Sequence, residues 1–209
     1  MTEQIRHWDD LHNGGEIGKT PDGPSSLAME AARSLPVPSR VLELGCGSGA
    51  DAAYLAAEGH DVLALDFSAV AIRRAASVHA DVGVDFRVAD FSRPLDLRPE
   101  SFDLVYARLS MHYFPDSVTR ELVGEVARVL AKEGRLVALC KSVADPLCGK
   151  GSRIEDDMYR LDGHVRHFFS AGYMRELLGS GFRPARVTEF EGVAYGRNSA
   201  FVKVFAQRR

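Results

Sequence analysis

The sequence predicts an α/β domain: a doubly wound, mostly parallel seven-stranded sheet with helices on both faces and the last strand antiparallel. Three observations carry this. Val41-Leu42-Glu43-Leu44-Gly45-Cys46-Gly47-Ser48-Gly49-Ala50-Asp51 reads as an apolar strand, a glycine-rich turn and the start of a helix. Short apolar runs then alternate with helix-like stretches, the pattern of repeated strand–helix–strand units. The last two runs are joined only by a short turn near Val193 to Asn198, so they should run antiparallel and bring Tyr195, Gly196, Arg197 and Asn198 to the same rim as the glycine turn.

The chain has 209 residues, enough for one such domain and short for two. Hydrophobic residues make up 45%, which supports an ordinary core, and the net charge of −3 argues against a protein that grips a phosphate backbone. Cys46, Cys140 and Cys148 are too few and too odd in number for a disulfide framework, so they read as reduced thiols in a cytoplasmic protein. No run is long enough to span a membrane, and the polar stretch Met1 to Asp10 lacks the apolar core of a signal peptide.

Taken in order, Ile5, Trp8 and Leu11 fall at helical spacing, so a short amphipathic helix is expected from about Thr2 to His12. Trp8, the only tryptophan, is either a docking anchor or part of a lid. His7, Asp9, Asp10 and His12 match no metal-ligand spacing. Leu27 to Leu35 reads as a helix stopped by Pro36 and Pro38. The first strand and its helix, to Glu58, end at Gly59; Asp61 to Asp66 is the second strand, and Ser68 caps a helix from Ala69 to His79. Val84 to Ala89 and Ser101 to Tyr106 are the third and fourth strands, followed by the loop Ala107 to Phe114. An amphipathic helix runs from Asp116 to Ala131 and a fifth strand from Leu136 to Cys140. Residues 141 to 169 show little periodicity and read as a long loop, of the kind that covers active sites. Ser170 caps a helix from Ala171 to Ser180, and the strands Ala185 to Glu191 and Ser199 to Gln207 close the chain.

The glycine turn departs from the nicotinamide-type G-x-G-x-x-G pattern. Its third glycine falls one place early, with Ala50 where that glycine should stand. Glu43, inside the strand, would oppose a pyrophosphate and suits a ligand carrying an ammonium or a sulfonium. On Glu43, Gly45, Gly47 and Gly49 the sequence resembles the class I S-adenosylmethionine-dependent methyltransferases, whose first motif reads E/D-x-G-x-G-x-G. The resemblance covers about residues 40 to 209 and leaves 1 to 39 as an N-terminal helical segment or lid. It implies a Rossmann-like domain and S-adenosyl-L-methionine as cofactor; no metal is expected, because no ligand spacing suits one. It implies that Asp66 accepts the two ribose hydroxyls, that Asp90 accepts the adenine amino group and that the backbone of Phe91 meets the ring. Cys46, Phe67 and Ala107 complete the expected donor site. A looser likeness joins Asp145 to Gly151, Gly163 to Ser170 and the closing strands to small bacterial methyltransferases of the tellurite-resistance type.

The acceptor should sit beyond the carboxyl ends of the strands. Arg108, His112, Tyr113, His167, the 141 to 169 segment, Tyr195 and Arg197 are expected to collect there, rich in groups that bind oxyanions. Arg108, His112, Tyr113 and His167 are the catalytic candidates, and either histidine could take a proton near neutral pH. The expected partner is a small polar or anionic molecule, with neither nucleic acid nor membrane involved, bound by a monomer or homodimer. Methylases of base amines carry an acid or asparagine followed by Pro-Pro and an aromatic where this chain has Ala107 to Phe114. A regulator that only binds S-adenosylmethionine is the competing reading, and a nucleic-acid methylase or a dinucleotide oxidoreductase stands further off.

Overall fold

The structure, a computed structural model, describes residues 2–13, 23–183, 185–194 and 196–209. Seven strands form the main sheet: β1 Arg40–Leu44, β2 Asp61–Asp66, β3 Asp85–Val88, β4 Phe102–Arg108, β5 Leu130–Lys141, β9 Arg186–Ala194 and β10 Arg197–Gln207. Their order is β3-β2-β1-β4-β5-β10-β9. The pairs among β1 to β5 are parallel, and β10 runs antiparallel to both β5 and β9. The strand order reverses between β1 and β4, at the centre of the sheet, where an open crevice for ligands forms.

Helices α1 Thr2–Asn13, α2 Ser26–Ala32, α3 Ala50–Ala57, α4 Ala69–Val78, α5 Asp116–Val129 and α6 Ala171–Leu178 surround the sheet. Because side chains alternate along a strand, the central strands bury both faces. Leu42, Leu44 and Val105 pack with Leu122 and Val126 of α5 and Met174 of α6. Val41, Leu104 and Tyr106 pack on the other side with Leu27 of α2 and Leu55 of α3. Leu42, Leu44 and Leu104 are fully enclosed, each contributing roughly 1.5–3 kcal/mol of burial.

Strand boundaries move from expectation mainly at β5, which begins at Leu130, directly after α5, because Leu130 is already extended. The larger difference lies between residues 141 and 169. That segment carries a three-stranded antiparallel sheet, β6 Ser152–Glu155, β7 Met158–Leu161 and β8 His164–His167. Both of its hairpins are tight. Asp157, Asp162 and Gly163 take the positive φ such turns need, at 54°, 51° and 75°. Among the described residues no helix is long and apolar enough to cross a membrane.

Candidate active site

The site begins where β1 ends. The amides of Gly45 and Cys46 both donate to the Leu65 carbonyl, at 2.7 and 3.0 Å, so the turn is pinned to the end of β2. Gly45 has φ +78° and a Cβ there would overlap the Ser110 side chain. The Ser110 hydroxyl donates to the Leu44 carbonyl at 2.5 Å, locking the segment after β4 against the turn. Gly49, at φ +76°, starts α3 so close to Phe86 and Ala75 that a Cβ would stand 2.8 and 2.9 Å from them.

Asp66 closes β2 and faces the turn. Its Oδ2 accepts from the Gly47 amide and its Oδ1 from the Ser68 amide, both at 2.9 Å. Burial pushes this carboxyl above its ordinary value while the two amides pull it back. Each oxygen keeps a second acceptor position. In front of it lies a cavity walled by Gly45 to Ser48, Asp66, Phe67, Phe91, Arg108 to Ser110 and Tyr113.

A second hollow continues round the turn and shares Gly45, Cys46, Ser48 and Arg108 with the first. It adds Ser25, Glu43 and Asp51. Glu43 is buried and its Oε2 has no hydrogen-bond partner among the described residues. Burial first, then Asp51, pushes its carboxyl well above the ordinary range; Arg108 and the Ala52 amide act the other way. Asp51 is fully engaged instead. It accepts from the Ser25 amide at 2.6 Å, the Ser25 hydroxyl at 2.8 Å and the Tyr106 hydroxyl at 2.7 Å.

Helix α1 lies across the first cavity, whose wall includes Trp8 and His12. Asp9 accepts from the Ser68 hydroxyl at 2.5 Å, tying α1 to the cap of α4. His12 is buried beside Gly47, and burial lowers its imidazole while Asp66 pulls it up. The Trp8 ring meets Tyr113 and His164 edge-on, each at 5.3 Å between centroids.

At and beyond the end of β4, Arg108 and Tyr113 line the first cavity. His112 stands behind Tyr113, with ring centroids 4.3 Å apart and only 1% exposure. Neither of its ring nitrogens has a hydrogen-bond partner among the described residues. Burial, followed by the cations Lys141 and Arg166, depresses its imidazole well below the ordinary value. Lys141 is itself buried and donates to Asp145 at 2.9 Å and to Ser199 at 2.6 Å. His167 turns Nδ1 to the Phe114 carbonyl, 3.2 Å away, and faces a different hollow.

The structure thus gathers Gly45, Cys46, Gly47, Asp66, Phe67, Phe91, Arg108 and Tyr113 on one cavity, with Glu43 on the adjoining hollow. Gly49, Asp90, Ala107 and His112 line neither. The Asp90 Oδ1 accepts from the amide and hydroxyl of Ser92, at 3.1 and 2.6 Å. Arg197 begins β10 and is exposed, and Tyr195 lies outside the described residues. Sequence reasoning missed His12, Ser110 and the Ser25–Asp51–Tyr106 cluster. Asp51 was legible only as a helix-start acid, and the other members become neighbours only through the fold.

Residues 41–134 match the family model described as a methyltransferase domain. The chain is 32% identical over 144 residues to the 27-O-demethylrifamycin SV methyltransferase of Amycolatopsis mediterranei, covering 64% of this chain and 50% of that protein. An S-adenosylmethionine dependent methyltransferase structure from Mesorhizobium loti superimposes with a TM-score of 0.72 at 25% identity, covering 88% of this chain and 99% of that one. A Burkholderia thailandensis 1,6-didemethyltoxoflavin-N1-methyltransferase, solved with 1,6-didemethyltoxoflavin and S-adenosylhomocysteine, superimposes with a TM-score of 0.74 at 19% identity, covering 98% and 86%. The chain spans half or less of the length of the curated relatives it matches first. Residues 41–134 thus match a methyltransferase-domain model, and the fold over most of the chain is that of the Mesorhizobium loti S-adenosylmethionine dependent methyltransferase.

Proposed function

We propose that this protein transfers a methyl group from S-adenosylmethionine to a small polar or anionic molecule. The observation that carries the reading is the pair of joined hollows around the glycine turn. One holds the two-oxygen acceptor Asp66, and the other holds the buried Glu43 oxygen that lacks a partner. A ribose supplies two hydroxyl donors for the first and an ammonium supplies N–H donors for the second. The aromatic rings of Phe67 and Phe91 on the cavity wall suit an adenine. S-adenosylmethionine, when bound, supplies an electrophilic methyl on a sulfonium.

The remaining work falls to the protein: alignment and the exclusion of water. Arg108, on the cavity wall, is assigned to an oxyanion of the acceptor, and Tyr113 to its orientation. His112 lines neither hollow and lies against Tyr113, with its imidazole held well below the ordinary value by burial; it is assigned as the base for an acceptor that must lose a proton, a role that requires Tyr113 to turn aside. Helix α1 acts as the lid, with Trp8 and His12 as the parts that face the cavity. A thiolate or chalcogen oxyanion needs no base, so the acceptor screen has to include both kinds.

Calorimetry with S-adenosylmethionine and with NAD tests the donor; binding of NAD alone would remove the reading. A panel of thiols, amines, phenols and chalcogen oxyanions, scored by release of S-adenosylhomocysteine, tests the transfer. Tight donor binding with no turnover across that panel would favour a non-enzymatic sensor instead.

A further inference from the structure

A third hollow shares no lining residue with the two at the glycine turn. It lies between the start of α5, helix α6 and the β6–β7 hairpin, which contribute Asp116, Arg120, Tyr173 and the run Glu155-Asp156-Asp157. Its lining charges are four carboxylates against one guanidinium, and that guanidinium is committed. Arg120 pairs with Asp116 and Glu176, each at 2.8 Å. Asp116 also accepts from the Tyr173 hydroxyl at 2.7 Å. Glu155 accepts from the Asp116 amide at 3.0 Å, and Asp156 pairs with Arg153. The Asp157 carboxylate has no partner among the described residues.

An acidic surface hollow would mean little by itself. The second observation is His167, which lines it while only 4% exposed. A carbonyl can only accept, so the Nδ1 bonded to Phe114 carries the hydrogen. Nε2 is then a bare acceptor with no partner among the described residues. The imidazole lies 5.0 Å from the Tyr173 ring, and Phe168 adds a further aromatic surface. Burial holds the imidazole below its usual value, against the pull of the Phe114 carbonyl, Asp116, Glu155 and Asp157.

We propose that this hollow binds a protonated alkylamine, with the ammonium donating to His167 Nε2 and to Asp157 and its chain lying on Tyr173 and Phe168. A quaternary ammonium could use the rings and the charge but has no N–H for the imidazole. Among the described residues no three His, Cys, Asp or Glu side chains group to hold a metal ion. The site is separate from the donor cavity, so the amine acts as a second ligand and its binding does not depend on methyl transfer.

Calorimetry with cadaverine at constant ionic strength tests this. Cadaverine should bind one to one, at least about ten-fold more tightly than tetramethylammonium. The His167 ring resonances should move on titration. Asp157→Asn should weaken binding about five-fold, since asparagine keeps the left-handed backbone there and removes the charge. His167→Phe should abolish the preference for cadaverine over tetramethylammonium. Equal affinity for the two cations, unchanged binding in Asp157→Asn, or displacement of cadaverine by S-adenosylhomocysteine would each overturn the proposal. Asp157 is exposed, so its variant keeps the test valid if His167→Phe fails to fold.

Discussion

The two halves of the rim are built by different means. Around the ends of β1 and β2, backbone amides and carboxylates do the shaping: Gly45 and Cys46 on Leu65, and Gly47 and Ser68 on Asp66. Around the ends of β4 and β5, rings and cations do it: Trp8 on Tyr113, Tyr113 on His112, and Lys141 behind them. Backbone geometry tolerates little change, whereas packed side chains can be exchanged one at a time. On the proposed function, the first half therefore suits a ligand that never varies, the donor, and the second suits one that does, the acceptor. Helix α1 joins the two, with Asp9 on Ser68 and Trp8 on Tyr113.

The largest expected effect attacks the backbone half. Gly45→Ala adds a Cβ that overlaps Ser110 at a left-handed backbone angle. Overpacking and the angle together should cost about 3 kcal/mol of folding stability, read as a lower urea midpoint. Pairing it with Ser110→Gly should recover the part owed to overlap and leave the part owed to the angle. A single variant as stable as the parent would mean the turn is not rigid and would erase the contrast drawn above.

In the side-chain half, His112→Phe preserves the ring against Tyr113 and removes both nitrogens. For an acceptor that must lose a proton, turnover should fall about a hundred-fold, equivalent to about 2.7 kcal/mol. Donor affinity should stay within about two-fold. Loss of affinity with intact turnover would make His112 a packing residue of the donor half. Asp66→Ala should do the converse, weakening donor binding about ten-fold or more, or about 1.4 kcal/mol. Calorimetry that returned the parent affinity would refute the ribose assignment.

The same division explains what the sequence made legible. Glu43, the spaced glycines and Asp66 lie within 24 residues of one another, and their meaning is set by local backbone rules, so the turn and the parallel core could be read directly. Ser110 closing on Gly45, or Ser25 joining Asp51 and Tyr106, depends on strand order and left no local trace. Residues 141 to 169 are different again. Asp162-Gly163 is the two-residue hairpin signal, and it lies between the short runs Met158–Leu161 and His164–His167. Those runs are only four residues long and expose part of each face, so the lack of a strong alternation concealed a small sheet. His167 was grouped with the acceptor residues because of its loop; the register of β8 turns it to another hollow.

The smallest effect concerns Glu43 and asks whether the donor half is poised for a cation or merely strained. Burial, Asp51 and Asp66 hold its folded-state carboxyl well above the ordinary 4.5. Such a group keeps its proton more tightly folded than unfolded, so native stability falls as pH rises from about 4.5 toward the folded value. Glu43→Gln cannot ionise and lacks this loss. Without donor, the variant should match the parent near pH 4 and gain on it as the pH rises toward 7, in a series of thermal melts. An ammonium placed beside Glu43 reverses the balance, because it favours the charged form. Saturating S-adenosylhomocysteine, which retains the ammonium, should therefore stabilise the parent more than the variant at pH 7. Equal stabilisation of both would detach Glu43 from the ammonium and leave Asp66 as the carboxylate on the cavity wall that is assigned to the donor.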